Sequence, residues 1–411
     1  MLKSLIYQLK QPYHFIKTGL LEALPAAIKT RFPQNKLKII AITGTDGKTS
    51  SSTLLYHVLK SADKKVALIS TVAAYINDEA IETGFHVTSP APKDLYQLMR
   101  RAVDQGSEYL VLEYTSQGAF QSRLFAIRPM IAGVTNISHD HFDYHLNYDN
   151  YLMAKASVLQ KSHTLVLNED DQSYYRLKKL ISSSEHQVLS YSGEEKLPSQ
   201  LKKAIQERLP EAYNQMNARL ITKISQQLGL SDQEIAQSIK TFPGVPGRMQ
   251  FLDLKKLTGK SRSYQLVLDF AHTPQGIEAA LTALRAKMKR EKMPGRLIAV
   301  YGSAGLRDHQ KRPLMGKIGA DLADLVVFTA EDPRSEDVWA IIRQMKSDLG
   351  DNHRKVISIA DRQEAINFTL QKIAQKGDLI ALLGKGPEKS MCYGTSEQPW
   401  SEVEAVKKAL S

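Results

Sequence analysis

A seven-residue segment near residue 45 combines glycines, a lysine and hydroxyl-bearing side chains. The segment, GTDGKTS at residues 44–50, follows a β-branched run and opens a helical pattern. Glycines let backbone N–H groups wrap phosphate oxygens, a lysine neutralises them, and a hydroxyl can reach Mg²⁺. Ile42 stands where the standard P-loop motif has its first glycine, so the match to that motif is incomplete. We predict a nucleotide-phosphate site here, with a plain strand-to-helix turn as the alternative.

A carboxylate follows at the end of the third predicted strand. Glu113 opens the sequence Glu113-Tyr114-Thr115-Ser116, which closes an apolar run. In open α/β sheets, the carboxyl ends of parallel strands border the crevice where ligands bind. Because Mg²⁺ prefers oxygen ligands, we predict that Glu113 completes a magnesium shell with Thr49.

The segment TNISHDHFDYH, residues 135–145, is dense in side chains that can bind a metal. Three histidines and two aspartates fall within seven residues of it. Two kinds of metal chemistry fit this pattern: a zinc hydrolase loop, or one histidine beside an ATP-bound Mg²⁺. The phosphate-binding segment upstream favours the second.

Short apolar runs alternate with helix-length patterns along most of the chain, and these elements have to position the motifs. In the first part of the chain the predicted strands are Lys38–Ile42, Lys65–Ser70, Tyr109–Tyr114, Met130–Thr135 and Thr164–Leu167. After the Phe242–Gly247 turn they are Gln265–Phe270, Leu297–Tyr301, Leu325–Thr329 and Leu379–Leu383. Buried strands that alternate with helices indicate parallel sheets covered on both faces.

The predicted fold class is therefore α/β, with two sheet domains. A central P-loop-type parallel-sheet ATPase domain is expected at residues 36–245. A smaller Rossmann-like α/β domain is expected at residues 246–411, and a short helical segment at residues 1–35.

Composition excludes several classes of protein. The 411 residues are 42% hydrophobic and 24% charged, which excludes a disordered or collagen-like chain. The single cysteine, Cys392, excludes an intrachain disulfide and a thiolate metal cluster, and it fits a reducing, cytoplasmic location. We find neither a signal peptide nor the ~20 consecutive apolar residues of a membrane span. The net charge of +12 fits nucleic acid, a membrane surface or an anionic substrate, and composition alone does not choose.

The order and spacing of the motifs resemble those of the Mur ligase family. The motifs in the first part are GTDGKTS at 44, TSP at 88, EYTSQGAFQSR at 113, TNISHDHFDYH at 135 and YLMAKA at 151. Those in the second part are YNQMN at 213, PGRM at 246, DFAHTP at 269, GSAGLRDHQKRP at 302, EDPR at 331 and GKGPE at 384. The resemblance covers about residues 36–400. It is strongest to the members that add meso-diaminopimelate or lysine to UDP-N-acetylmuramoyl-dipeptide.

That resemblance implies an ATP-dependent, ADP-forming ligase of peptidoglycan synthesis that works through an acyl phosphate. ATP would phosphorylate the carboxylate of an anionic muramoyl-peptide precursor, which the amine of a free diamino acid then attacks. Lys48 and the loop amides are expected to hold the phosphates, Thr49 and Glu113 one Mg²⁺, and His141 with Glu113 a second. Lys155 matches a family lysine that becomes carbamylated and supports the second Mg²⁺. Positioning and charge neutralisation would then supply most of the catalysis.

The resemblance assigns further residues to three ligands. Those matching positions that contact the muramoyl-dipeptide are Thr88, Ser89, Ser116, Gln121 and Arg123. Those matching positions around the nucleotide are Gly44, Thr45, Asp46, Gly47, Lys48, Thr49, Ser50, Asn136, Asn214, Arg248, Asp269 and His272. Those matching the pocket for the incoming amino acid are Arg307, Asp332, Arg334, Gly384 and Glu388.

Four positions near the substrates depart from the family pattern. The usual Asp-Asn-Pro-Arg is here Glu331-Asp332-Pro333-Arg334, while Pro387 and Gln117 each replace a histidine. Arg334 is able to bind a distal carboxylate bidentately, which favours diaminopimelate. Asp332 replaces a neutral amide with an anion that could attract a side-chain ammonium, so the amine stays open between diaminopimelate and lysine.

Residues 1–35 differ from the front of the diaminopimelate-adding ligases, which carry an N-terminal domain for the UDP moiety. The segment is predicted to form one or two basic helices, in which Lys3, Lys10, Lys17, Lys29 and Arg31 stand against Glu22. One interpretation is a solvated helix packed on the ATPase domain. The other is a contact with a membrane surface or a lipid-linked precursor, with UDP held in an unusual way.

Other functions remain as alternatives. Within the same fold, these are a folate-type polyglutamate ligase and a ligase subunit acting on a lipid-linked wall precursor. A zinc-dependent hydrolase using the HDHFDYH loop would bind zinc and need no ATP. A nucleic-acid-binding protein would cluster its basic residues on one face, whereas here they are spread throughout, so we expect no nucleic-acid partner. We also expect a monomer.

Overall fold

The structure, a computed structural model, describes residues 2–71, 73–77, 79–81, 89–181 and 186–411. The chain divides into two compact units, Met1–Pro243 and Gly244–Ser411. The N-terminal helical segment belongs to the first unit. Among the described helices, none is long and apolar enough to cross a membrane.

The first unit is built on one sheet. Its described strands are β1 (Lys38–Thr43), β2 (Val66–Ile69), β3 (Ala74–Ile76), β4 (Glu79–Ile81), β5 (Tyr109–Glu113), β6 (Ile131–Val134), β7 (Thr164–Asn168) and β8 (Gln187–Tyr191). They lie in the order β4-β3-β2-β5-β1-β6-β7-β8. In this spatial order, all neighbouring strands from β2 across to β8 pair in parallel. Strands β3 and β4 add an antiparallel edge next to β2, which was not predicted from the sequence.

Helices cover this sheet, and they account for the apolar character of its central strands. The helices are α1 (Leu2–His14), α2 (Leu24–Lys29), α3 (Lys48–Ser61), α4 (Pro92–Asp104), α5 (Ser116–Phe120), α6 (Phe142–His145), α7 (Tyr148–Leu159), α8 (Tyr174–Leu180), α9 (Ser199–Arg208), α10 (Ala212–Gln227) and α11 (Asp232–Thr241). A π-helical turn, Phe15–Ala23, joins α1 to α2, and a 3₁₀ turn, Pro33–Asn35, precedes β1. Strand β1 is buried from Ile39 to Thr43, as expected for a parallel strand covered on both faces.

The second unit repeats this plan on a smaller scale. Its described strands are β9 (Gln250–Phe251), β10 (Gln265–Asp269), β11 (Leu297–Tyr301), β12 (Leu325–Phe328), β13 (Val356–Ser358), β14 (Leu379–Leu383), β15 (Ser390–Tyr393) and β16 (Ser396–Pro399). Six of them form a sheet in the order β13-β12-β11-β14-β10-β9, parallel except at β9. Strands β15 and β16 pair as a separate hairpin.

Two apolar clusters cover the faces of the second sheet. The helices are α12 (Leu254–Thr258), α13 (Pro274–Arg290), α14 (Lys311–Leu322), α15 (Val338–Met345), α16 (Arg362–Phe368) and α17 (Glu402–Leu410), with a 3₁₀ turn Gly350–Lys355 and a π-helical turn Thr369–Ile373. The predicted α/β class, with mainly parallel sheets, is confirmed.

Candidate functional site

The loop after β1 turns tightly, and two of its glycines have backbone conformations that L side chains rarely adopt. Gly44 has φ +149° and Gly47 has φ +81°. A Cβ at Gly44 would overlap the Thr135 hydroxyl, and one at Gly47 would lie 2.5 Å from Asn217 Oδ1. Gly47 is also the residue before α3, so the loop leads directly into a helix N-terminus. This backbone can present N–H groups to an anion in the way that phosphate loops do.

The end of β6 holds the loop in this shape. The Asp46 N–H donates to Asn136 Oδ1 at 3.0 Å, and Asn136 Nδ2 donates to the Asp46 carbonyl at 3.1 Å. The Thr135 hydroxyl donates to the same carbonyl at 2.6 Å. Lys48 Nζ donates to the Thr45 carbonyl at 2.6 Å, so its ammonium lies over the loop. Ser50 is half-buried in the first turn of α3.

Glu113 and Thr49 meet beside the loop, as predicted. The Thr49 hydroxyl donates to Glu113 Oε2 at 3.0 Å, and Glu113 is only 3% exposed. The same carboxylate accepts from the N–H of Thr71 at 3.1 Å. Strand order explains the meeting: β1 lies between β5 and β6, so the loop, Glu113 and Asn136 all follow neighbouring carboxyl ends.

Lys155 lies buried on α7 next to the phosphate loop. Its side chain is 1% exposed, and Nζ donates to the Gly44 carbonyl. Nζ also lies 4.4 Å from the centroid of the Tyr151 ring. The Tyr151 hydroxyl is 3.1 Å from the Thr45 hydroxyl, so one tyrosine joins the lysine to the loop.

The surroundings of Lys155 favour its neutral form. Among the described residues, Lys155 takes part in no ion pair. Burial and the nearby charge of Lys48 lower the pKa of Lys155 well below its ordinary value, and the carboxylates Asp140, Asp46 and Glu113 offset this only in part. A neutral amine is a nucleophile, whereas an ammonium is not.

His141 stands at the start of the short helix α6 with a left-handed backbone, φ 54°. Its N–H donates to Asp140 Oδ1 at 2.8 Å, and its ring lies 6.3 Å from that of Tyr151, between centroids. In the described part of the chain, no three side chains among His, Cys, Asp and Glu are arranged to hold a metal ion.

The predicted muramoyl-dipeptide residues form a second cluster after β5. The Ser89 and Thr115 hydroxyls are 2.9 Å apart, and Arg123 donates to the Ser89 carbonyl at 2.8 Å. Gln121 Nε2 donates to the Tyr144 hydroxyl at 3.0 Å. Ser89 and Arg123 therefore meet in the structure. Thr88 lies outside the described residues.

Ser116 belongs to the same cluster through His145. The His145 ring is fully buried, with Nε2 3.1 Å from the Ser116 hydroxyl and Nδ1 2.9 Å from the Tyr7 hydroxyl. Burial is the main reason why the pKa of His145 falls to about 3, so the ring is neutral at neutral pH. A neutral imidazole has one donor and one acceptor, which matches two hydroxyl partners. Tyr7 comes from α1, so the N-terminal helix reaches this cluster.

In the second unit, Asp269 ends β10 and holds the turn that precedes the sheet. Its Oδ2 accepts from the N–H of Met249 at 2.7 Å, and its Oδ1 from the N–H of Ala271 at 2.8 Å. The Arg248 guanidinium lies 4.4 Å from the Phe270 ring centroid, and His272 Nδ1 is 3.0 Å from the Phe270 carbonyl. Arg248, Asp269 and His272 thus surround one strand end.

A buried ion cluster lies at the ends of β12 and β14. Lys385 is 0% exposed, and its Nζ donates to Asp332 Oδ1 at 2.8 Å and to Glu388 Oε2 at 2.5 Å. Burial opposes the charge of Lys385, but attraction to Glu388 and Asp332 outweighs it and raises the pKa of Lys385. Asp332 therefore has a lysine partner within the protein, which the sequence analysis did not foresee.

Arg334 projects from the same turn. Asp332 and Arg334 have left-handed backbones, with φ 43° and 51°. Arg334 Nη1 donates to the Gly305 carbonyl at 2.7 Å, and the Gly305 N–H donates to the Asp332 carbonyl at 3.0 Å, so two loops are joined. Arg307 lies in the loop that contains Gly305, and its side chain is exposed.

Glu331 lies beside Gly384 at this strand edge. Gly384 has φ +99°, and a Cβ there would overlap the Glu331 carboxyl. Burial raises the pKa of Glu331 to about 8, which favours a protonated carboxyl group at neutral pH.

Two domain families match the chain. They are the Mur ligase middle domain over residues 42–229 and the Mur ligase glutamate ligase domain over residues 247–386. The UDP-N-acetylmuramoyl-L-alanyl-D-glutamate--2,6-diaminopimelate ligase of Clostridium tetani is 32% identical over 395 residues, which is 92% of this chain and 78% of the relative. The chain belongs to the Mur ligase family.

Solved structures agree with this assignment. A structure of a UDP-N-acetylmuramoyl-L-alanyl-D-glutamate--2,6-diaminopimelate ligase aligns with a TM-score of 0.57 and 27% identity, covering 94% of this chain and 81% of that one. Folylpolyglutamate synthase from Mycobacterium tuberculosis, complexed with ADP, aligns with a TM-score of 0.69 at 16% identity, covering 92% and 96%. The second likeness shows a shared fold alone. The predictions of the Mur ligase family and of an ATP-dependent, ADP-forming ligase are confirmed.

The residues of this Mur ligase suit ATP and a divalent cation. A Cβ at Gly44 or Gly47 would fill space in the phosphate loop that a ligand could use, and Lys48 supplies a positive charge beside this loop. Thr49 and Glu113 offer hydroxyl and carboxylate oxygens, the donors that Mg²⁺ prefers.

Several residues of the site are not among those predicted from the sequence. Three of them lie inside family motifs: Tyr151 in YLMAKA, His145 in HDHFDYH and Lys385 in GKGPE. Their place in these motifs could have indicated a role in the site. Asn217, in YNQMN, contacts Gly47 and Asn214. Tyr7 lies outside every motif, and only its contact with His145 reveals it.

Proposed function

We propose that this Mur ligase joins the carboxylate of a UDP-N-acetylmuramoyl-dipeptide to the amine of meso-diaminopimelate. The observation that carries the proposal is the buried Thr49–Glu113 pair beside the glycine loop, in a chain 32% identical to a 2,6-diaminopimelate ligase. In the first step, the acceptor carboxylate attacks the γ-phosphorus of ATP, giving an acyl phosphate and ADP. In the second, the amine attacks the acyl carbon, and phosphate leaves as the amine loses a proton.

The first unit would carry the phosphate chemistry. Lys48 and the N–H groups of residues 44–50 would bind the phosphates of ATP, with Asn136 holding the loop in shape. Thr49, Glu113 and His141 would hold Mg²⁺, which when bound neutralises charge on the transferring phosphoryl group. Asn214, in the same unit, would contact the rest of the nucleotide. Arg248, Asp269 and His272 of the second unit match nucleotide positions of the family and are proposed for the same role.

Lys155 would supply one further oxygen ligand after carbamylation. Its neutral amine can add to CO₂ to give a carbamate and release one proton. A protonated Lys155 would be repelled by Mg²⁺. The carbamate is an anion, so it would attract Mg²⁺. Burial against the loop supports this role, because an exposed lysine would be protonated and unreactive.

Hydroxyl groups and a guanidinium would hold the muramoyl-dipeptide. Ser89, Ser116, Gln121 and Arg123 occur in one cluster of the first unit, and Thr88 precedes Ser89 in the sequence. An arginine suits an anionic precursor because it forms charge-assisted hydrogen bonds with carboxylates and phosphates.

The amine preference follows from the charges at the β12 and β14 ends. Asp332 is bound to Lys385, which reduces its attraction for the side-chain ammonium of lysine. Arg334 carries the positive charge that suits the distal carboxylate of diaminopimelate. Arg307, Gly384 and Glu388 would complete this pocket. We therefore favour diaminopimelate over lysine.

Phosphate release with a panel of amines tests the proposal. UDP-N-acetylmuramoyl-dipeptide, ATP and Mg²⁺ are supplied with diaminopimelate, lysine or ornithine, and the product is identified by mass spectrometry. We expect the fastest release with diaminopimelate, loss of it in Lys48→Ala, and no change in Lys60→Ala, which alters an exposed lysine on the same helix. Absence of release with every amine would contradict the proposal. We further propose that the enzyme acts in the cytoplasm as a monomer.

A further inference from the structure

The N-terminal helix, meaning here α1 together with the π-helical segment Phe15–Ala23 that continues it, carries an exposed apolar stripe that the ligase chemistry does not use. Ile6, Leu9, Tyr13 and Ile16 are 45%, 61%, 54% and 54% exposed. Their spacing of three, four and three residues places them on one face of a helix. Of the 17 large apolar side chains that are exposed among the described residues, eight lie between residues 6 and 32. Exposure is therefore concentrated in this segment.

The opposite face of the same helix is fixed to the first unit. The Tyr7 ring stacks on Phe120 with centroids 4.5 Å apart, and the His14 ring meets Phe120 edge-on at 5.8 Å. Thr18 and Gly19 are buried further along. Because the inner face is held by these contacts, the apolar stripe points away from the core.

Lysines border the stripe, and the whole helix is basic. Lys10 and Lys17 are exposed and seven residues apart, and Lys17 Nζ lies 5.7 Å from the Tyr13 ring centroid. Residues 2–21 contain three lysines and no aspartate or glutamate. Burial lowers the pKa of His14, and the charges of Lys10, Lys17 and Arg123 lower it further.

We propose that the outer face of the N-terminal helix, formed by Ile6, Leu9, Tyr13 and Ile16 with Lys10 and Lys17, docks on an anionic lipid surface. An apolar face bordered by lysines is the pattern of helices that lie in the membrane interface. A protein partner fits less well, because stable interfaces use about 20–30 residues a side and are depleted of lysine.

Docking would bring the acceptor cluster close to the membrane. Tyr7, on the inner face of the same helix, contacts His145, and His145 contacts Ser116. The helix would thus lie between the lipid surface and the residues proposed to bind the muramoyl-dipeptide. The docking itself does not depend on that assignment, since it can be measured without any ligase substrate.

Vesicle co-sedimentation with the full chain tests the proposal. We use vesicles of phosphatidylcholine alone and of phosphatidylcholine with phosphatidylglycerol, at low and physiological salt. We expect the protein to bind the anionic vesicles and not the neutral ones, and we expect this binding to be weaker at physiological salt than at low salt. With about 1 kcal/mol per lysine near an anionic surface, Lys10→Gln/Lys17→Gln should weaken binding roughly 25-fold. Leu9→Ser/Ile16→Ser should weaken it at least as much, because it removes the apolar contact.

Matched variants separate the stripe from general surface effects. Lys202→Gln/Lys203→Gln removes two exposed lysines elsewhere in the first unit, and Tyr175→Ser/Leu314→Ser removes two exposed apolar side chains. Both should bind vesicles like the wild type, and all four variants should keep the wild-type melting temperature. Equal binding to neutral vesicles, or no binding to anionic ones, would overturn the proposal. So would self-association of the wild type that Leu9→Ser/Ile16→Ser abolishes, since the partner would then be a second copy.

Discussion

Each of the two units buries a lysine, and the two lysines have opposite character. Lys155 in the first unit donates to a backbone carbonyl and lies over an aromatic ring, and its pKa is lowered. Lys385 in the second unit donates to the carboxylates of Asp332 and Glu388, and its pKa is raised. Burial is equally complete at both sites, so the partners decide the charge.

The difference suits two kinds of task. A buried cation with two carboxylates is a fixed structural charge, and it organises the turn that carries Arg334. Lys155, which forms no ion pair among the residues that the structure describes, has surroundings that favour the reactive, neutral amine. The two units also differ in a buried carboxyl group. Glu113 in the first unit accepts hydrogen bonds from Thr49 and Thr71. In the second unit, burial raises the pKa of Glu331 to about 8.

The largest effect is expected from Lys155→Ala. If the lysine supplies a carbamate ligand, kcat should fall about 10²–10³-fold, the range for loss of one preorganised electrostatic group. Carbon-13 NMR with labelled bicarbonate should show a carbamate signal in the wild type that the variant lacks. Lys161→Ala, just after the same helix, serves as the control. Full activity of Lys155→Ala would remove the functional half of the comparison.

Replacing each lysine by methionine compares their structural roles. Lys385→Met leaves the buried Asp332 and the partly exposed Glu388 without their cation, which should cost about 3–5 kcal/mol of unfolding free energy. In bicarbonate-free buffer, where no carbamate forms, Lys155→Met removes an amine that donates to one backbone carbonyl and whose pKa burial lowers, so it should cost much less. Urea unfolding of both variants measures the difference. Lys385→Met/Asp332→Asn should recover part of the loss, and equal losses in the two single variants would show that the partners do not matter.

Arg334 is expected to control the choice of amine. Arg334→Ala should raise KM for diaminopimelate about 10–100-fold, because a charged hydrogen bond is worth about 1.5–3 kcal/mol. Turnover with lysine should change little, since lysine has no distal carboxylate. Steady-state kinetics with both amines provides the test, and Arg343→Ala, an exposed arginine of the second unit, is the control. An equal rise in KM for lysine would mean that Arg334 acts on the pocket shape.

The two units are expected to respond to pH in opposite directions. The folded pKa of His145, about 3, lies below its unfolded value near 6.5, so its contribution to stability falls as pH drops below 6.5. Between pH 7.5 and pH 5, His145 should lower the free energy of unfolding by about 2 kcal/mol. The folded pKa of Glu331, about 8, lies above its unfolded value, so stability falls as pH rises from about 4.5 to 8.

Urea unfolding across this pH range checks both slopes. His145→Asn should reduce the loss at acid pH, and Glu331→Gln should reduce the loss at alkaline pH. Unchanged slopes in either variant would show that other groups control the pH dependence of that unit.

The smallest effect is expected from Tyr7→Phe. The change removes the hydrogen bond to His145 and keeps the ring that stacks on Phe120. A loss of about 1 kcal/mol would raise KM for the muramoyl-dipeptide roughly fivefold and leave kcat unchanged. Tyr13→Phe, on the exposed face of the same helix, is the control. A fall in kcat without a change in KM would contradict a positioning role.

Much of the fold was predictable because its signals are local. The apolar runs at Lys38–Ile42 and Tyr109–Tyr114 became β1 and β5, and the glycine loop leads into α3 as predicted. The antiparallel edge of β3 and β4 was missed, since three-residue strands have no clear pattern. The motifs also located Thr49 and Glu113 correctly beside each other.

What the sequence alone determined is which residue types stand at the ends of which strands. A parallel α/β sheet brings those ends to one edge, so the loop, Glu113 and Asn136 had to meet. The tertiary structure decided the partners across long separations. Lys385 pairs with Asp332 from 53 positions away, Tyr7 reaches His145 from 138, and Lys155 donates to the Gly44 carbonyl from 111. Burial and pairing set the charge of each group, and neither is written in the local pattern of residues.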